Sequence, residues 1–187
     1  MIKNKEFLDL ILEIGLLKKI QRTGWVLKGV KDVESVAEHT WRVAIFALLF
    51  AKDLGLDELK TVKMALVHDL GEVSIGDIKW ERGARVIASQ EAKHQDEAVA
   101  VRKMFADNPS FQEYLDLWQE FNRQKTKEAK AVKEFDKLEM IVQALEYQNE
   151  GYPKELFDEF WENGEKYLKN GQLKEVFAFL KSKRETS

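Results

Sequence analysis

Two histidines and a scatter of carboxylates define the chemistry open to this chain. In "ALVHDLGEVSIGD", Ala65 to Asp77, an apolar run ends in His68 and Asp69, and Glu72 and Asp77 follow. Glu72 falls at i+4 from His68 and i+3 from Asp69, so on a helical path the three side chains share one patch. His39 stands at the start of a second apolar stretch, "EHTWRVAIFALLF", beginning at Glu38. Asp136 lies in "KEFDKLEMIVQAL", beside the helical stripe Phe135, Leu138, Val142 and Leu145. A carboxylate in such a seam is costly unless it is paired or binds a metal.

Two imidazoles and two carboxylates, His39, His68, Asp69 and Asp136, are a donor set for one divalent cation. Mixed nitrogen and oxygen ligands suit manganese, cobalt, nickel or iron, and zinc is also accommodated. The plain alternative stands beside this: His68 as a core histidine with a satisfied ring, and Asp69 as a hydrogen-bond acceptor at a helix end. The third histidine, His94, sits in the polar run "EAKHQDEAVA" and reads as a solvated helix residue. The chain has no cysteine, which excludes thiolate sites, disulfides and thiol chemistry.

The elements that must position these residues read as helices throughout. The 187 residues include 2 prolines, Pro109 and Pro153, and show no convincing alternation of period two. One all-α domain follows, a compact helical bundle over 1–187 with the motifs between about 7 and 150. The first helix runs from about Lys5 to Lys18, with Phe7, Leu8, Ile11, Ile14 and Leu17 on one face. "SVAE" at 35–38 is a capping box that opens a helix to about Leu54, closed by Gly55. Only Arg42 is charged between Trp41 and Ala51, which predicts a helix buried on all sides. Asp57 caps the next helix, running to about Leu70 and stopped by Gly71, and "VSIGDIKWERGAR" reads as a loop. Further helices are expected at about 86–106, 110–122 and 127–150, with the last elements, about 153–181, packing on the core or on a partner. The net charge of −3 lacks the basic footprint of a binder of nucleic-acid polymers. No apolar run approaches the ~20 residues of a membrane span, and no signal peptide is evident, so a cytoplasmic protein is expected.

"EHTWRVA", "ALVHDLGEVSIGD" and "KEFDKLEMIVQALEY" resemble the signature segments of the HD-domain metal-dependent phosphohydrolases. Their H…HD…D pattern is matched by His39, His68–Asp69 and Asp136. Within that superfamily the chain is most similar to the 5′-deoxynucleotidases, of the bacterial YfbR type and its eukaryotic and archaeal relatives. Trp25, Glu72 and Asp77 match further positions, and "RTGWV", Arg22 to Val26, resembles the eukaryotic and archaeal branch. Two departures stand out. The "GD" pair is followed by "IKWERG" without the proline frequent in the family, and Arg22 lies three residues before the tryptophan rather than next to it.

The resemblance implies an HD-type fold and metal-dependent hydrolysis of deoxyribonucleoside 5′-monophosphates. It implies a single metal ion, Co2+, Mn2+, Ni2+, Fe2+ or Mg2+ with Zn2+ also admissible, because one histidine is left over. Glu72 would orient or deprotonate the attacking water. Asp77 would protonate the leaving 5′-oxygen or act as a second orienter. Arg22 would clamp phosphate, Trp25 would pack against the sugar or else anchor the core, and Arg42 would approach the phosphate or the acidic cluster or reach the surface. A homodimer is implied. Rival readings are another HD phosphohydrolase, acting on a triphosphate, a cyclic nucleotide or a guanosine polyphosphate, and a non-catalytic metal-containing binding module.

Overall fold

The computed structural model describes residues 4–76, 90–105 and 111–186. Helix α1 spans Asn4–Ile14 and continues into a 3-10 turn, Gly15–Lys18. A one-turn helix α2, Thr23–Val26, precedes α3, Val36–Phe50, and α4, Glu58–Val67. Then come α5, Glu72–Ile75, α6, Gln90–Phe105, α7, Gln112–Arg123, and the long α8, Lys127–Asn149. A 3-10 turn, Lys154–Phe157, leads into α9, Asp158–Tyr167, and α10, Gly171–Thr186. Among the described residues the only β pairing is one antiparallel bridge between Gln21 and Ser35.

Three helix starts carry side-chain caps, and those at Ser35 and Asp57 form as expected. The Ser35 hydroxyl accepts from Glu38 N–H at 3.2 Å while the Glu38 carboxylate accepts from Ser35 N–H at 2.6 Å, a reciprocal capping box. Asp57 accepts from Lys60 N–H and caps α4, and Thr126 accepts from Ala129 N–H and caps α8. Helix α8 is the centre of the bundle: α3, α4, α7, α9 and α10 all pack against it. Its inner residues Val132, Phe135, Leu138, Ile141 and Ala144 join Val43, Ala47, Met64 and Phe157 in one hydrophobic core.

The stretch between the 3-10 turn and α3 holds only the single turn of α2 and is otherwise pinned by contacts to its neighbours. Val36 N–H bonds Ile20 C=O, and Arg22 N–H bonds Glu34 C=O, on either side of the Gln21–Ser35 bridge. The Tyr147 hydroxyl of α8 accepts from Glu34 N–H, and that of Tyr152 from Lys31 N–H. These ties fix Arg22 and Glu34 beside the N-terminus of α3.

One apolar face is left uncovered, and one expectation about burial is corrected. The apolar face of α1 is open: Phe7, Leu8 and Ile11 are exposed, and only Leu17, in the turn after it, is buried. Helix α3 is not buried on all sides either. It buries Val36, His39, Thr40, Val43, Ala44 and Ala47, while Trp41 (64% exposed), Leu48 and Leu49 face outward. Apolar composition alone does not reveal how many faces find a neighbour.

The role expected of Gly71 is also different. Its backbone is helical, φ −60°, and it leads directly into α5, where a loop had been expected. A Cβ at Gly71 would lie 2.7 Å from the Glu97 Cβ, so the glycine permits close contact between α5 and α6. The helical path stops at Gly76, whose φ of 75° disfavours any side chain.

Candidate metal and phosphate site

The four predicted ligands come from three separate elements. His39 sits in the first turn of α3, Asp136 midway along α8, and His68 and Asp69 in the turn between α4 and α5. They converge at the centre of the bundle. Asp69 Oδ2 lies 3.3 Å from His68 Nε2 and 3.7 Å from His39 Nε2. His39 Nε2 is in turn 3.5 Å from Asp136 Oδ1. Donors each about 2.1 Å from one ion stand roughly 3 to 3.5 Å apart, close to these spacings.

The donor atoms are also prepared for a cation. His39 Nε2, His68 Nε2 and Asp69 Oδ2 are buried and have no hydrogen-bond partner among the described residues. Burying three such atoms unsatisfied costs about 1–3 kcal/mol each. A divalent ion would satisfy all of them at once, so the residues present fit the metal. The opposite ring nitrogens are engaged: His68 Nδ1 donates to Ala65 C=O at 2.7 Å, and His39 Nδ1 lies 2.5 Å from Glu139 Oε2. A proton on Nδ1 leaves the Nε2 lone pair facing inward, as a metal ligand requires.

Charge around the centre is strongly organised. Burial opposes ionisation of Asp69, yet His68, His39 and Arg22 hold its carboxyl far below the usual carboxylate range. Asp136 is held low in the same way, with Lys133 and Lys137 overcoming the effect of burial. Burial and Arg22 work against a charged His39, but Glu139 and Asp136 outweigh them and lift the imidazole to about 10. The centre therefore demands positive charge, which a proton on His39 or a bound cation can supply.

Several other residues surround it. Arg22 reaches from the loop before α2, with its guanidinium 3.6 Å from Asp69 and 4.0 Å from Asp136. Glu72 opens α5 and is 5% exposed, its backbone N–H bonded to Asp69 C=O at 3.0 Å. Lys133 and Lys137 approach Asp136 Oδ2 at 2.8 and 3.3 Å. Burial, with Lys133 adding to it, pulls Lys137 down to about 8.

Trp25 and Arg42, also named as candidate substrate contacts, are engaged by protein partners. Trp25 is 1% exposed, stacked on Phe160 at 4.2 Å and edge-on to Tyr147 and Phe157, with its indole N–H donated to Glu34. Of the two readings of Trp25, core anchor and sugar contact, this is the core position. Arg42 turns away from the ligands into the acidic cluster, bonding Glu139 at 2.9 Å, Glu146 at 2.7 Å and also Gln143. Asp77 lies outside the described residues, as does the His94 side chain.

Sequence reasoning passed over Lys133, Lys137, Glu139 and Glu34. The first three had a readable signal, since they flank Asp136 at i−3, i+1 and i+3 in a helix otherwise burying apolar residues. Glu34 had none, because its burial depends on how an irregular loop folds back.

A family model described as HD domain matches residues 14–176. The chain belongs to the HD-domain family. Curated relatives include 5′-deoxynucleotidase HDDC2 of Xenopus laevis, 42% identical over 147 residues, which are 77% of this chain and 70% of that protein. The Homo sapiens protein of the same name is 32% identical over 185 residues, 98% of this chain and 88% of its own length. Among solved structures, a Pyrococcus horikoshii OT3 protein superposes with a TM-score of 0.76 at 34% identity, covering 96% of this chain and 99% of that one. The all-α bundle described above is the HD-domain architecture. Among the described residues no helix is long and apolar enough to cross a membrane.

Proposed function

We propose that this HD-domain protein is a metal-dependent phosphohydrolase that converts deoxyribonucleoside 5′-monophosphates to deoxyribonucleosides and phosphate. One observation carries the reading: two imidazole nitrogens and two aspartates from α3, the α4–α5 turn and α8 meet at a single buried point, with Arg22 beside them. The relatives named as 5′-deoxynucleotidases support the substrate class, since this chain covers most of their length.

His39, His68, Asp69 and Asp136 would hold one divalent ion. Bound there, it would lower the pKa of a coordinated water and polarise a phosphoryl oxygen. Glu72, buried one turn beyond Asp69, would orient or deprotonate that water. Arg22 grips phosphate oxygens through its planar guanidinium. Lys133 and Lys137 add positive charge on the Asp136 side, available to a phosphate bound there. Asp77 is assigned to the leaving 5′-oxygen, as its proton donor or as a second orienter.

The substrate is a small molecule rather than a nucleic-acid polymer, and a cytoplasmic setting completes the reading. A homodimer is part of it: Phe7, Leu8, Ile11 and Leu12 expose an apolar strip on α1 that a second copy would cover. Light scattering on the purified chain tests that point.

The decisive experiment assays phosphate release by the metal-reconstituted protein. Deoxyribonucleoside 5′-monophosphates should be cleaved in preference to ribonucleoside monophosphates, triphosphates and cyclic nucleotides. Cleavage of another phosphoester alone would replace the substrate class. Inertness toward all of them, with metal bound, would favour a binding module.

A further inference from the structure

His39 is gripped from behind. Its Nε2 faces Asp69 and Asp136, while its Nδ1 lies 2.5 Å from Glu139 Oε2. Both partners of that contact are 0% exposed. The other oxygen of Glu139 accepts from Arg42 Nε at 2.9 Å. Arg42 is held in turn by Glu146 at 2.7 Å and by Gln143, and it stands 3.8 Å from Glu34. Glu34 accepts the Trp25 indole N–H at 2.8 Å, which ties the chain of contacts to the aromatic core.

The two imidazole ligands are thus backed unequally. His68 donates its Nδ1 proton to a neutral carbonyl, Ala65 C=O, whereas His39 is set against a carboxylate. A carboxylate behind an imidazole fixes its ring plane and tautomer and strengthens the outward nitrogen as a donor more than a carbonyl does. Arg42 restrains the carboxylate in turn, because a guanidinium anchored by several acceptors cannot swing without breaking each bond.

We propose that Glu139 and Arg42 are positioning residues of the metal centre, Glu139 aiming and strengthening His39 and Arg42 holding Glu139 in place. The inference rests on the four-ligand reading of the site. It also explains why Arg42, one helical turn beyond His39, bonds to an acidic cluster and points away from the ligands.

The test is metal affinity, measured without substrate. Glu139→Gln keeps the shape and an acceptor oxygen but removes the charge. Equilibrium dialysis with Co2+ should show binding weakened about ten- to hundred-fold. In the Zn2+-loaded protein the 15N resonances of the His39 imidazole should shift, while those of His68 stay in place. Arg42→Met should weaken binding several-fold in the same direction, and it decides the question if Glu139→Gln fails to fold. Wild-type affinity in the variants, or equal movement of both imidazoles, overturns the inference and leaves the proposed reaction standing. Failure of the native chain to bind any divalent cation overturns the inference and the metal reading together.

Discussion

The Arg22 guanidinium stands 3.6 Å from the Asp69 carboxylate, so a residue from an irregular loop reaches the same point as a candidate ligand from the α4–α5 turn. The backbone ties around Gln21 and Ser35 hold it there. Arg22→Ala should raise KM for the nucleoside monophosphate and lower kcat/KM about ten- to hundred-fold, the loss of a charge-assisted hydrogen bond worth about 1.5–3 kcal/mol. Metal content after dialysis should be unchanged. A normal KM would remove Arg22 from the phosphate contact.

Asp69 and Glu72 lie one turn apart and should fail differently. Asp69→Ala deletes a ligand, so metal analysis after dialysis should find the ion lost. Glu72→Ala should keep the ion and lower turnover about 10²- to 10⁴-fold, the usual contribution of a positioned general base. Near-normal turnover in Glu72→Ala would rule out that role.

Trp25 is a stability residue in this structure, packed among Phe160, Tyr147 and Phe157. Trp25→Ala should cost about 3–5 kcal/mol in urea unfolding. The milder Trp25→Phe should still lose stability, because it leaves the Glu34 carboxylate without its indole donor. Its KM ratio for deoxy- against ribonucleotides should match the native enzyme. A changed ratio in folded Trp25→Phe would restore the sugar-contact reading.

Glu34 makes stability depend on pH. Burial, reinforced by the negative charge of Glu139, raises its carboxyl from 4.5 to about 7. Between those values the folded chain keeps a proton that the unfolded chain has released, so stability falls as pH rises through this window and the penalty is complete above pH 7. Glu34→Gln keeps the acceptor for Trp25 and has no such titration. Relative to the native protein it should gain stability between pH 5 and pH 8, by up to about 3 kcal/mol. Chemical denaturation of both proteins at the two pH values measures this, and a pH-independent difference would refute it.

The helix starts at Ser35 and Asp57 were readable because a cap is local: the donor and acceptor lie three residues apart on one chain. The convergence of four polar residues was readable for a related reason. Polar residues in apolar seams need partners, and His39, His68, Asp69 and Asp136 were the ones so placed. The outward faces of α1 and α3 were not readable, because Phe7 and Trp41 look like core residues until the neighbouring elements are known. Arg42 was open for the same reason, since its choice between phosphate, surface and acidic cluster depended on where α8 put Glu139 and Glu146.

The sequence by itself determined the helical periodicity, local caps and a set of candidate metal donors, all of which rest on residue type and short spacing. Tertiary structure alone decided which of those residues face one another. Packing α3 against α8 set Glu139 behind His39 and drew Arg42 into the acidic cluster. Packing α9 against α8 closed an aromatic shell around Trp25 and made it core. Such contacts join residues far apart in the chain, and no local propensity encodes the approach of two helices.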